Sequence, residues 1–221
     1  IVKMAMIKAI IFDMDGTLVD SIPFHKDAWL LFLKKHGIIL APEEFQAQNH
    51  GNIDEMIRRF FGQDLEEDKV KELGQEKERT YRAMYKSHIK EIQGLTDLLN
   101  KMNNQHIVAA LATMGDMPNI DFVLDEINIR PYFSSITGGH EIVRGKPDSE
   151  IFNLALAKLN LKTTECIVIE DSLGGVISAL NAGIRVVGIT TSHSHEELQS
   201  NGCFYTISNF DELDLNQINH L

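Results

Sequence analysis

The spacing of apolar positions changes twice along the chain. From Met6 to Phe12 the residues are almost wholly apolar, in a run too short for a helix and of the kind found in strands buried on both faces. Between residues 22 and 92 the apolar positions fall at helical spacing: Trp29, Leu30 and Leu33 with His36, then Ile53, Met56, Ile57 and Phe60, then Val70, Leu73, Tyr81, Met84 and Tyr85. A unit of four or five helices is predicted there. Its last stretch, LEEDKVKELGQEKERTYRAMYKSH, is dense in charge and reads as the solvated face of a helix. After Gly94, short apolar runs (HIVAALAT, SSITGG, CIVIED, IRVVGIT, FYTIS) alternate with helical segments such as Glu150 to Leu159 and Leu173 to Ala182.

Strand and helix alternating at this spacing predict an α/β fold, a doubly wound, Rossmann-like parallel sheet joined by right-handed crossovers. The opening run then supplies a central strand, and the helical unit is an insertion. Expected boundaries are residues 1–21 and 93–221 for the sheet domain and 22–92 for the insert.

Composition narrows the partners. With 221 residues, 43% hydrophobic and 24% charged, the chain is long enough for one sizeable core and a smaller unit. A formal charge of −11, with no Lys/Arg cluster longer than a pair, repels a phosphate backbone and speaks against nucleic acid. Apolar stretches such as Ile107 to Met114 are too short to span a bilayer and no signal-peptide pattern opens the sequence, so a cytoplasmic protein without a membrane partner is expected. Cys166 and Cys203 sit in no CxxC or zinc-like spacing and are expected to pack as small apolar side chains.

In an open parallel sheet, ligands bind beyond the carboxyl ends of the strands, so polar residues directly after apolar runs carry the chemistry. Asp13 and Asp15 follow AIIF, Thr113 follows VAALA, Glu170 and Asp171 close CIVIED, and Lys146 precedes Pro147. Singly, each has a plain structural use as a helix cap or loop residue. Together, four carboxylates and one ammonium would crowd a single crest. Two like charges about 4 Å apart cost about 4 kcal/mol at an effective dielectric near 20, so the set calls for a cation or for protonation. A hard, all-oxygen donor set suits Mg²⁺; the spacing of DMDGTLVDSIPF excludes an EF-hand calcium loop.

Asp13, nearest the strand, is then the candidate nucleophile toward phosphorus, and Asp15 the candidate general acid and base. Gly16 lets the turn bend, and Thr17 is expected to stabilise it. Thr113 offers a hydroxyl and Lys146 a point charge to clamp phosphate oxygens. Pro147 is expected to start the helix of DSEIFNLALAKL. Ser172 is the expected cap of the next helix, Gly174 and Gly175 serve close packing, and Gly183 is its stop.

Four motifs in this order, FDMDGTLVD, ALAT ending in Thr113, GKPDSEIF and VIEDSLGGVISALNAG, resemble the haloacid dehalogenase superfamily, within it the β-phosphoglucomutase-like group with a helical cap. The resemblance implies Asp13 as nucleophile, Asp15 as acid and base, Thr113 and Lys146 as phosphate binders, and Mg²⁺ held by Glu170 and Asp171 with Asp13 and the Asp15 carbonyl. It also implies that the insert is a mobile cap, with His25 at its hinge and His50 and Asp54 in its substrate loop. A mutase of this group carries a Lys and an Arg in that loop to hold a second phosphate. Here QNHGNIDEM has His50 and Asp54, with Arg58 and Arg59 a turn later. The expectation is therefore a Mg²⁺-dependent phosphatase of a small phosphorylated metabolite, a sugar phosphate or similar monoester, with a β-phosphoglucomutase-type mutase as the alternative.

Overall fold

The computed structural model describes residues 6–49 and 51–218, and His50 lies outside them. The chain divides into two compact units, residues 1–20 with 89–221, and residues 21–88.

The first unit is built on six parallel strands: β1 (Ala9–Phe12), β2 (Val108–Ala112), β3 (Phe133–Thr137), β4 (Cys166–Glu170), β5 (Arg185–Ile189) and β6 (Tyr205–Ile207). Their order in the sheet is β3-β2-β1-β4-β5-β6. β1, β4 and most of β2 and β5 are buried on both faces, which explains their unbroken apolar sequences. Edge strand β3, FSSIT, instead exposes a serine. The expected first strand is shorter than its apolar run, because Met6 is 75% exposed and pairing begins only at Ala9. Both cysteines are free thiols in the interior, as expected.

The second unit holds four helices among the described residues: α1 (Ile22–Lys35), α2 (Pro42–Gln48), α3 (Ile53–Phe61) and α4 (Glu67–Tyr85). Trp29, Phe32, Phe45, Met56, Ile57 and Val70 form its core. The sheet unit continues with α5 (Leu95–Asn104), α6 (Met117–Glu126), α7 (Glu150–Leu159), α8 (Leu173–Asn181), α9 (His195–Ser200) and α10 (Leu215–Ile218). Apolar faces of α7 and α8 cover Ala9, Ile11, Ala110, Ala112 and Val168 on one side of the sheet. α7 begins at Glu150 rather than at Pro147. A turn closed by the Asp148 N–H donating to the Gly145 carbonyl at 3.0 Å precedes the helix, and Asp148 Oδ1 accepts the Glu150 N–H at its start; the Lys146–Pro147 bond is cis. No helix among the described residues is long and apolar enough to cross a membrane.

Candidate active site

Where the chain leaves β1 for β2 and β3, then returns beside β1 as β4, the strand order reverses, and such a reversal opens a crevice at the carboxyl ends of the strands. Register does the rest. Phe12 pairs with Ile169, and the Asp13 N–H donates to the Ile169 carbonyl at 3.1 Å, so the next residues on each strand, Asp13 and Glu170, come level. Asp13, Glu170 and Asp171, all buried, have carboxylate oxygens within 4.8 Å of one another, the one such acidic group among the described residues. Asp15 lies two residues on, in the turn where the Gly16 N–H donates to the Val19 carbonyl at 2.8 Å, and its side chain is not part of that cluster.

Lys146 enters the cluster from the loop before α7. Its ammonium donates to Asp13 Oδ1 at 2.5 Å and Glu170 Oε1 at 2.6 Å, and it lies 5.2 Å from the centre of the Phe152 ring. Glu170 Oε2 accepts from both the backbone N–H and the hydroxyl of Ser172, each at 3.0 Å. The same Ser172 oxygen caps α8 by accepting the Gly175 N–H, as the sequence pattern implies. Thr113 is buried at the end of β2, and its hydroxyl oxygen accepts the Gly115 N–H at 3.0 Å, so the hydroxyl proton can still be donated.

The electrostatics follow from three buried carboxylates facing one ammonium. Burial pushes the Asp13 carboxyl well above the usual range; Lys146 pulls it back, and Glu170 and Asp171 push it further up. Asp171 is raised to about 7, first by burial and then by Glu170. Burial disfavours the Lys146 ammonium, but Asp13 and Glu170 outweigh it and hold that pKa above the ordinary lysine value. The cluster thus carries more negative charge than its own cation neutralises, and it draws either protons or a hard divalent ion.

Close approach of α8 makes one of its two glycines indispensable. A Cβ on Gly175 would stand 1.8 Å from Glu170 Oε1, whereas one on Gly174 meets nothing within 4 Å. Gly175→Ala is therefore expected to cost about 1–3 kcal/mol through overpacking, and Gly174→Ala to leave stability level or slightly raised. Thermal melts of the two variants check this, and equal melting points would contradict it.

In the helical unit, His25 stacks on Tyr81 with ring centres 3.7 Å apart, and its Nδ1 stands 2.9 Å from the Lys77 ammonium. Lys77 is only 2% exposed; it also donates to Glu78 at 2.9 Å and lies 5.3 Å from the Trp29 ring centre. Sequence reasoning missed this lysine inside the charged stretch of α4. Asp54 sits in the first turn of α3, which Asn52 and Glu55 cap reciprocally. Arg58 donates to the carbonyls of Leu65 at 2.6 Å and Gln63 at 3.1 Å and to Glu67 at 2.7 Å, and Arg59 donates to the Gln48 carbonyl at 2.8 Å.

Comparison with known proteins agrees with this geometry. Residues 10–189 match the family model described as haloacid dehalogenase-like hydrolase. Hexitol phosphatase A of Escherichia coli (strain K12) is 33% identical over 183 residues, covering 82% of each chain. Beta-phosphoglucomutase of Bacillus subtilis (strain 168) is 28% identical over 189 residues, covering 82% of this chain and 83% of that one. Among solved structures, a HAD hydrolase of family IA, variant 3, from Entamoeba histolytica HM-1:IMSS superposes with a TM-score of 0.89 at 28% identity, over 97% of this chain and 98% of the other.

Proposed function

The chain belongs to the haloacid dehalogenase-like hydrolases, and from that membership we propose that it is a Mg²⁺-dependent phosphatase that releases inorganic phosphate from a small phosphorylated sugar or polyol through an aspartyl-phosphate on Asp13. The observation that carries this reading is the convergence of Asp13, Glu170 and Asp171 on one buried point, with Lys146 bonded to two of them. The names of the relatives, a hexitol phosphatase among them, support the substrate class.

Asp13, Glu170 and Asp171, joined by the Asp15 carbonyl, would hold the Mg²⁺. A buried set of hard oxygen donors with surplus negative charge fits a hard dication. When bound, the ion supplies neutralising charge beside the nucleophile and the transferring phosphoryl group. An Asp13 oxygen attacks phosphorus, the bond from phosphorus to the ester oxygen breaks, and Asp15 protonates the departing alkoxide. Asp15 then takes a proton from water as that water attacks phosphorus. The bond to Asp13 breaks, and both carboxyl groups return to their starting states. Thr113 and Lys146 clamp the phosphate oxygens. The helical unit is read as the cap domain that chooses the substrate, with His25, His50 and Asp54 as its candidate contacts.

Hydrolysis is favoured over the mutase reaction by the two arginines of α3. A mutase of this group needs cations for a second phosphate, whereas the Arg58 guanidinium bonds the Gln63 and Leu65 carbonyls and Glu67, and Arg59 bonds the Gln48 carbonyl, all within their own unit.

The test is phosphate release from an aryl phosphate and from a panel of sugar and polyol phosphates, with Mg²⁺ and with a chelator. Mg²⁺-dependent release is the expected result. No release from any of them, or conversion of β-glucose 1-phosphate to glucose 6-phosphate in its place, overturns the proposal. Asp15→Asn is expected to slow sugar and polyol esters by about 10²–10⁴-fold and aryl esters much less, because only poor leaving groups need the proton. Equal losses on both would remove the acid and base role.

A further inference from the structure

The segment leaving β5 contributes one hydroxyl to the acidic cluster and one to the turn after β1, and nothing in the reaction uses either. Ser192 Oγ donates to Asp171 Oδ2, and Thr191 Oγ1 donates to the Gly16 carbonyl. These contacts meet at one place. Gly16, at φ +80°, lies so close to Asp171 that a Cβ on it would stand 2.1 Å from the same Oδ2 that Ser192 holds. Thr17 Oγ1 approaches the other oxygen, Asp171 Oδ1, at 3.4 Å. The base of the segment is itself fixed, because the Thr190 N–H donates to the Ile207 carbonyl of β6 at 2.9 Å.

We propose that Thr191 and Ser192 are positioning residues that hold the β1 turn and the end of β4 together and orient Asp171 toward the divalent ion. The proposal rests on the reading that Asp13, Glu170 and Asp171 bind that ion. Asp171 is the last acid of the cluster, directly after β4, and repulsion from Glu170 and Asp13 favours a rotamer that swings away from them. Ser192 opposes this by fixing the carboxylate's last torsion through one oxygen. Thr191 fixes the Gly16–Thr17 peptide, one step beyond the Asp15 carbonyl assigned to the same ion, and so limits how far the turn that carries that carbonyl can shift. Neither hydroxyl is required to touch substrate. Their contribution therefore falls on ion affinity and not on recognition of the phosphate ester, as hydrogen-bond partners of metal ligands generally act.

The experiment is Mn²⁺ binding followed by the electron paramagnetic resonance signal of the free ion, without substrate, on the wild type, Asp171→Asn, Ser192→Ala, Ser192→Thr and Thr191→Val, each checked for folding by circular dichroism. The expected result is binding by the wild type, loss of it in Asp171→Asn, affinity about tenfold or more weaker in Ser192→Ala and Thr191→Val, and recovery in Ser192→Thr. Substrate KM at saturating ion should be unchanged in both weakened variants. If Asp171→Asn loses the ion while Ser192→Ala and Thr191→Val bind as tightly as the wild type, the positioning role is overturned and the ion site stands. If the wild type does not bind Mn²⁺, or Asp171→Asn binds as it does, the ion site falls and this proposal with it.

Discussion

Asp13→Asn is expected to lower phosphate release by about 10⁴-fold or more, the loss typical of removing a nucleophile, while the ion-free protein melts no lower than the wild type. Both halves have the same physical source. An amide keeps the shape of the carboxylate and leaves an oxygen to accept from Lys146, so the packing around β1 is preserved. It removes the charge that burial makes costly, since burial holds the Asp13 carboxyl well above its usual range, against Lys146 and with Glu170 and Asp171. One fewer carboxylate also weakens the pull on a dication, so the rise in melting temperature on adding Mg²⁺ should shrink. Phosphate-release assays and thermal melts with and without Mg²⁺ check this. Retained turnover would remove the nucleophile assignment, and a clearly lower ion-free melting point would contradict the burial argument.

Most residue types of this site were legible in the sequence because Asp13, Thr113 and Asp171 follow buried strands and Glu170 ends one, and a run such as AIIF or CIVIE is readable from its lack of polar interruptions. Their meeting was inferred from topology, and it depends on the pairing of Phe12 with Ile169, which no local pattern encodes. The partners that hold the acids were less visible. Ser192 and Thr191 are small hydroxyl residues in a loop, and only the packing of Gly16 against Asp171 gives them a role. The two glycines of α8 look alike in sequence, yet only Gly175 lies against Glu170.

Lys77 shows the limit of charge patterning. Around it run glutamates, lysines and arginines that do form a largely exposed face, and one buried ammonium leaves no mark on that average. Its burial depends on His25 and Trp29, both from α1, far away in sequence. Arg58 and Arg59 were read by position alone. Their bonds to backbone carbonyls follow from the chain at Gln63 to Leu65 turning back beneath α3 and from the end of α2 lying beside it.

Lys146→Met is expected to cost about 3–5 kcal/mol of stability in the absence of ion, the usual result of removing one member of a buried charged set, and thus to lower the melting temperature by roughly 10 °C. Lys146 bonds to Asp13 and to Glu170, and methionine fills similar space beside Phe152 without a charge, so three buried carboxylates lose their one cation. The deficit should depend on pH in a definite direction. Asp13 and Asp171 have folded-state pKa values above their unfolded value of 3.8, with Asp171 at about 7, so between these limits the folded state binds more protons than the unfolded one. Folding stability from this pair therefore falls as pH rises through that window. Removing Lys146 raises the proton affinity of Asp13 further, because the ammonium was lowering it. The variant should accordingly lie closest to the wild type near the acid end of the window and furthest from it above pH 7, where Mg²⁺ should restore part of the loss by replacing the missing positive charge. Melting curves from about pH 5 to pH 8, with and without Mg²⁺, test the sign. A deficit that grew as pH fell would mean that the carboxylates, and not their protonated forms, are the stable state of this cluster without a cation.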